Sequence, residues 1–293
     1  MSSNFRGAAL MVAAMAGFAV EDMLLKSVTD ELQVGQILIM FGSFGTILFA
    51  LLARSRGDRL LHPNLLHPVV GAKALAEICG RLFFTLSLAL APLSTVSALL
   101  QATPLVVVAG AAIFFGERVG WRRWTAIATG FVGVLIVLRP GVELSWGALA
   151  ALAGMLGFAL RDLATRGAPK TLSNLVLGVY GFLALVPAGA VLLAVTGGAV
   201  WPTSAAFATV GTASVVGVAA YYALTAAMRV GEVAVVTPFR YTRLVFALIL
   251  ASIVFAERPD AMTLLGSAVI VASGIYTLLR SRRETQLTVA QDA

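Results

Sequence analysis

The chain has 293 residues, 59% of them apolar and only 12% charged, with a mean hydropathy of +0.94. A water-soluble domain carries about 25% charged residues; half that share cannot cover a globule of this size, and the bilayer is the fitting solvent. The net charge of +7 does not mark a nucleic-acid binder, because Lys and Arg fall in short clusters between apolar segments and form no binding stripe.

A membrane-spanning helix needs about 20 mostly apolar residues, and the chain offers ten such segments. The first, Arg6–Leu25, ends in "GFAVEDMLLK", which sets Glu21 and Asp22 side by side in a greasy run. Its short basic-to-apolar start resembles a signal peptide, but a second copy of it further on marks it as a retained helix. Val34–Leu52 follows, then "HPNLLHP", whose His62 and His67 are the only histidines and read as solvated loop residues.

The third span, Val69–Leu90, carries Lys73, Glu77 and Arg81 four residues apart, on one face of a helix. Charges inside a span are costly and face a cavity or a partner. Glu77 pairs with either neighbour and one cation is left over, for an anionic substrate group or a carboxylate elsewhere; the alternative is a self-neutralising ladder. Lys73, near the helix end, is expected to snorkel to the interface. Cys79 in the same span is the single cysteine, so no disulfide forms within the chain, and no Cys/His spacing fits a metal. The fourth span, Ser94–Phe115, places Gln101 and Thr103 mid-helix before Pro104, and the fifth is Trp124–Leu138.

The sixth, Trp146–Thr165, contains "GFALRDLATR" with Arg161 and Asp162, and Ser173–Thr196 is the seventh. In the eighth, Thr203–Met228, Tyr221 and Tyr222 offer flat rings with polar tips, either for a solute or for the interface belt. The ninth, Val233–Phe255, reads "TPFRYTRL": Arg240, Tyr241 and Arg243 follow Pro238, which frees backbone carbonyls beside a cavity. For Arg240 and Arg243 the alternative is a structural ion pair with Glu77 or Asp22. Met262–Leu279 is the tenth. No soluble domain fits between any two spans.

With the N-terminus in the cytoplasm, thirteen Lys and Arg lie in inner loops and tails against three outside, Lys26, Arg139 and Arg258. That bias sets both termini in the cytoplasm. Sliding the sequence by 140 residues aligns the halves: eight of 19 positions of Gly7–Leu25 are identical in Gly147–Thr165, including Phe18 with Phe158 and Asp22 with Asp162. "FGERVGW" then lies over "FAERPDA", matching Glu117 to Glu257. Five spans is an odd number, so the second copy enters from the opposite side and the repeat is inverted, as in secondary transporters. The fold expected is an all-α integral membrane protein of ten helices as a 5+5 inverted repeat: residues 7–140, residues 147–280, and a cytoplasmic tail at 281–293.

"ATPLVVVAGAAIFFGERVGWRRWTAIATGFVGVLIVLRPG" in the first half, and "VVTPFRYTRLVFALILASIVFAERPDAMTLLGSAVIVASGIYTLL" in the second, resemble the drug/metabolite transporter superfamily, most closely its EamA type. The resemblance covers about residues 7–280. It implies a basket fold with a central cavity lined by the first, third, fourth, sixth, eighth and ninth helices, and alternating access for small organic solutes. It also implies a multi-pass protein of the bacterial inner membrane that exports amino-acid-like metabolites or takes up vitamins such as riboflavin.

The expected substrate-binding set is therefore Glu77, Arg81, Gln101, Thr103, Tyr221, Arg240, Tyr241 and Arg243. Glu21, Asp22, Arg161 and Asp162, nearer the helix ends, are the expected gating or coupling set. Phe18 and Phe158 are packing residues or ligand contacts, and Glu117 and Glu257 pair with an adjacent arginine or a neighbouring loop. No phosphate-binding loop is present, so ATP is not the driver; the coupling ion is H+, carried on Asp22 or Glu77, or exchange is uncoupled. No cofactor is expected, and the protein is a monomer or weak homodimer. The competing readings are an exporter of cationic drugs, a channel or scaffold, and an integral membrane enzyme, the last disfavoured by the want of a catalytic cluster.

Overall fold

All regular structure among the described residues is helical, and the computed structural model describes residues 3–61, 67–116, 119–138, 145–167, 172–230 and 236–291. In chain order the helices are α1 (Ser3–Ser27), α2 (Val34–Ser55), α3 (Pro68–Leu90), α4 (Leu93–Leu100), α5 (Thr103–Phe115), α6 (Trp121–Leu138) and α7 (Trp146–Gly167). They continue with α8 (Asn174–Leu183), α9 (Leu185–Thr196), α10 (Ser204–Val230), a 3-10 turn (Thr237–Tyr241), α11 (Thr242–Val254) and α12 (Ala261–Gln291). Helix is what an apolar chain must adopt in lipid, where every backbone polar group needs a partner within its own segment.

Among the described residues seven stretches are long and apolar enough to cross a membrane: α1, α2, α4 with α5, α6, α7, α8 with α9, and α10. Helix α3 has the length, but its three buried charges set it apart; α11 has only 13 residues.

Three continuous spans expected from the sequence are broken, the ninth by the 3-10 turn before α11. Between α4 and α5 the amides of Gln101 and Ala102 bond three residues back, to Ala98 and Leu99, at 3.2 and 3.1 Å. Pro104 cannot donate to the Leu100 carbonyl four residues before it, and the Thr103 hydroxyl takes that acceptor at 2.6 Å. Between α8 and α9 the cause is Pro187, which leaves Leu183 without its helical donor.

Helix α3 packs along α7 and α1 along α10, while α6 pairs with α12, α2 with α8 and α9, and α4 with α11. Small residues allow this closeness. A Cβ on Gly157 would stand 2.5 Å from the Gly80 Cα across the α7–α3 seam, and one on Gly17 would stand 2.8 Å from the Ala220 Cβ across the α1–α10 seam. These seams are alike: Gly17 aligns with Gly157, and Gly80 with Ala220, at the same 140-residue offset.

One end of the molecule is tied by two charges. Lys26, at the end of α1, donates to the carbonyls of Leu88 and Ala91 at the end of α3, at 3.0 and 2.8 Å. The Glu257 carboxylate accepts from the Leu93 and Ser94 amides and the Ser94 hydroxyl at 2.7, 3.0 and 2.8 Å, capping the N-terminus of α4 where a negative charge is favoured. Glu257 thus reaches a neighbouring helix and not its adjacent arginine. Glu117 and Arg118 lie outside the described residues, as does His62. His67 caps α3, its Nδ1 accepting from the Val69 amide at 3.3 Å.

Candidate functional site

The helices leave a cavity of about 420 Å³ between them. It is lined from the first, third, fourth, sixth, eighth and ninth expected spans, and additionally by Phe49 of α2 and Gly178, Gly181 and Phe182 of α8. Every residue of the expected substrate-binding set contributes to its lining, as do Glu21, Arg161 and Asp162. Asp22 is buried just behind, 1% exposed and held by Arg243.

The two expected sets are not separate, because each carboxylate of one meets a cation of the other. Glu21 accepts from Arg81 at 2.8 Å, joining α1 to α3. Asp22 accepts from Arg243 Nε and Nη2 at 3.1, 2.8 and 2.6 Å, a fork-like pairing of α1 with α11. On the other wall Arg161 donates to Asp162 at 2.7 and 3.0 Å and to Glu77 at 3.4 Å. Lys73 lies 3.7 Å from Glu77. Depth read along single helices separated these groups; packing of one helix on another joins them.

Lys73 does not snorkel. It is 7% exposed, beside Glu77 and packed near Gly181 of α8, so its ammonium points into the protein.

The arginines lie against rings. Arg81 has Phe41, Phe158 and Phe84 at 4.6, 5.7 and 5.9 Å, Arg161 has Phe158 at 4.8 Å, and Arg243 has Phe18 at 5.3 Å. Phe18 and Phe158 thus act in the same way in the two halves: each lines the cavity and backs an arginine, where ring and cation attract. Their match across the repeat was the signal for this role. Phe49 and Phe182 carried no such signal, since their place depends on how α2 crosses α8.

Gln101 and Thr103 face the cavity with polar groups already engaged, Thr103 on the Leu100 carbonyl and Gln101 Nε2 on the Tyr241 carbonyl at 3.1 Å. Tyr241 is 5% exposed and its hydroxyl sits against Gly274 of α12, away from the cavity. Tyr221 stacks edge-on against Phe49, centroids 5.3 Å apart, at the cavity wall. Tyr222 points outward, hydrogen-bonded to Arg56 and with that guanidinium 5.0 Å from its ring. No cluster of three or more His, Cys, Asp and Glu fit to hold a metal occurs among the described residues.

The EamA-like transporter family model matches residues 5–139 and again 145–279. A riboflavin transporter of Rhizobium johnstonii is 30% identical over 197 residues, which are 67% of this chain and 65% of that protein. An S-adenosylmethionine uptake transporter of Rickettsia bellii is 25% identical over 72% of each chain. A pseudopaline exporter of Pseudomonas aeruginosa is 26% identical over 92% of this chain and 94% of its own. A solved crystal structure superimposes with a TM-score of 0.66 at 20% identity, covering 94% of this chain and 99% of that one; it speaks for the fold alone.

Proposed function

Because the chain belongs to the EamA-like transporter family and is a multi-pass protein of the bacterial inner membrane, we propose that it carries a small organic metabolite by alternating access through the central cavity. Convergence of charged and aromatic side chains from both matched segments on one internal cavity carries this reading.

Ten spans follow if α4 with α5, α8 with α9, and the 3-10 turn with α11 each cross once, and α3, its charges paired inside, and α12 also cross. The 5+5 inverted arrangement draws support from the pairing: exchanging the halves turns the α3–α7 seam into the α1–α10 seam and returns α6–α12 to itself. The sequence also repeats the clamp charges, since Lys26 aligns with Arg166 and Glu257 with Glu117 at the 140-residue offset. With both termini cytoplasmic, the Lys26–Glu257 clamp lies at the periplasmic end, and the cavity reaches toward the cytoplasm at Thr165 and Tyr221. That combination favours a cytoplasm-facing state.

The expected binding and gating sets act together as one site, with H+ as coupling ion on Asp22 or Glu77, in a monomer or weak homodimer. The named relatives carry riboflavin, S-adenosylmethionine and pseudopaline, and the substrate here is a vitamin of that kind or an amino-acid-like metabolite. An exporter of cations fits less well, because cations outnumber carboxylates around the cavity. Uptake of riboflavin, S-adenosylmethionine and amino acids into proteoliposomes tests the function. Flux that rises linearly with concentration for every solute would overturn it.

A further inference from the structure

Among the described residues five cationic side chains face the cavity, Lys73, Arg81, Arg161, Arg240 and Arg243; against them stand Glu21, Glu77 and Asp162, with Asp22 behind Arg243. One positive charge is in surplus, and geometry identifies which. Glu21 is taken by Arg81 at 2.8 Å, Asp22 by Arg243 at 2.6 Å, and Glu77 by Arg161 and Lys73 at 3.4 and 3.7 Å. Asp162 is taken by Arg161 at 2.7 Å and stands only 3.9 Å from Arg240, beyond hydrogen-bond reach. The Arg240 side chain is 33% exposed, the most of any charged group in these pairs; Arg161 and Asp162 follow at 26% and 25%, and Glu21 and Asp22 are at 2% and 1%.

A guanidinium inside a membrane protein, facing a cavity and weakly matched, is a receptor for a planar two-oxygen anion, which it binds in a fork. The cavity it faces is also lined by rings, Phe18, Phe49, Phe158, Phe182 and Tyr221. None of the described carboxylates around the cavity is left without a cation close by, so a substrate ammonium would have to displace one. On the transporter reading, which this inference deepens, we propose that Arg240 is the anchor for the carboxylate of a singly anionic substrate with an aromatic or apolar body.

Three matched probes test it on the purified full chain: 3-phenylpropionate, 3-phenylpropionamide and 3-phenylpropylamine. Binding is read by thermal shift and calorimetry, and flux separately by counterflow in proteoliposomes. The expected result is acid binding at least tenfold tighter than amide or amine, with Arg240→Gln abolishing the preference and Arg240→Lys restoring part of it. Equal binding of acid and amide, or an undiminished preference in Arg240→Gln, overturns the assignment. Saturable counterflow of the amide or of riboflavin with no acid preference overturns it while the transporter reading stands. Acid preference in binding, with no saturable counterflow of any probe or of riboflavin, upholds the anchor and sinks the transporter reading. No binding of any probe to the folded protein overturns the anchor as well.

Discussion

Gln101 and Tyr241 are equivalent residues of the two halves, 140 positions apart, and they are hydrogen-bonded to each other, the Gln101 amide donating to the Tyr241 carbonyl at 3.1 Å. The contact therefore joins the two family-matched segments directly. Both stand where a helix breaks, Gln101 at the end of α4 and Tyr241 at the end of the 3-10 turn. A side chain from one half therefore gives a further donor to the carbonyl that opens α11 in the other.

Replacing Gln101 by Leu removes that donor and leaves a buried carbonyl with one partner fewer. Losing such a bond costs about 0.5–1.5 kcal/mol. Thermal denaturation in detergent is expected to show a lowered midpoint, with Gln101→Glu no better because it cannot donate when ionised. An unchanged midpoint in Gln101→Leu would mean that this contact holds nothing.

Asp22 and Arg243 form the tightest pair around the cavity. Removing one partner of a buried pair costs about 3–5 kcal/mol, whereas removing both costs less, because no uncompensated charge remains. Arg243→Ala is expected to lose saturable transport and much stability. Asp22→Asn with Arg243→Gln should recover stability but not transport. A double variant as unstable as the sum of the single ones would show that the two residues act independently.

The clamp at Glu257 is expected to bias the state of the cavity. In a Cys79→Ser background with a cysteine placed at Thr103, Glu257→Ala should raise labelling by a membrane-impermeant thiol reagent from the periplasmic side several-fold. Labelling that stays unchanged would remove the clamp from any gating role.

Close seams set the last test. Gly157→Val drives a side chain into the Gly80 backbone, and overpacking of this kind costs about 1–3 kcal/mol. Gly71→Ala, where nothing lies within 4 Å of an added Cβ, should be neutral or slightly stabilising, since Ala is favoured over Gly in helices by about 1 kcal/mol. Equal midpoints for both variants would contradict the α3–α7 packing.

The sequence by itself determined the membrane class, the duplicated halves and nearly all the polar residues around the cavity. Those properties are carried by composition, by a constant offset and by the rule that charge inside lipid faces inward. Helix breaks at Gln101 and Ala184 were foreshadowed by Pro104 and Pro187, yet not placed, because a proline removes a bond without saying what replaces it. Tertiary structure alone decided which charge meets which. Glu21 finds Arg81 and Asp22 finds Arg243 across 60 and 221 residues of chain, because the rotation of α1 against α3 and α11 is set by the packing of whole helix faces. The same packing turned Lys73 inward, turned the Tyr241 hydroxyl onto Gly274, and left Arg240 as the cation with the weakest claim on a carboxylate.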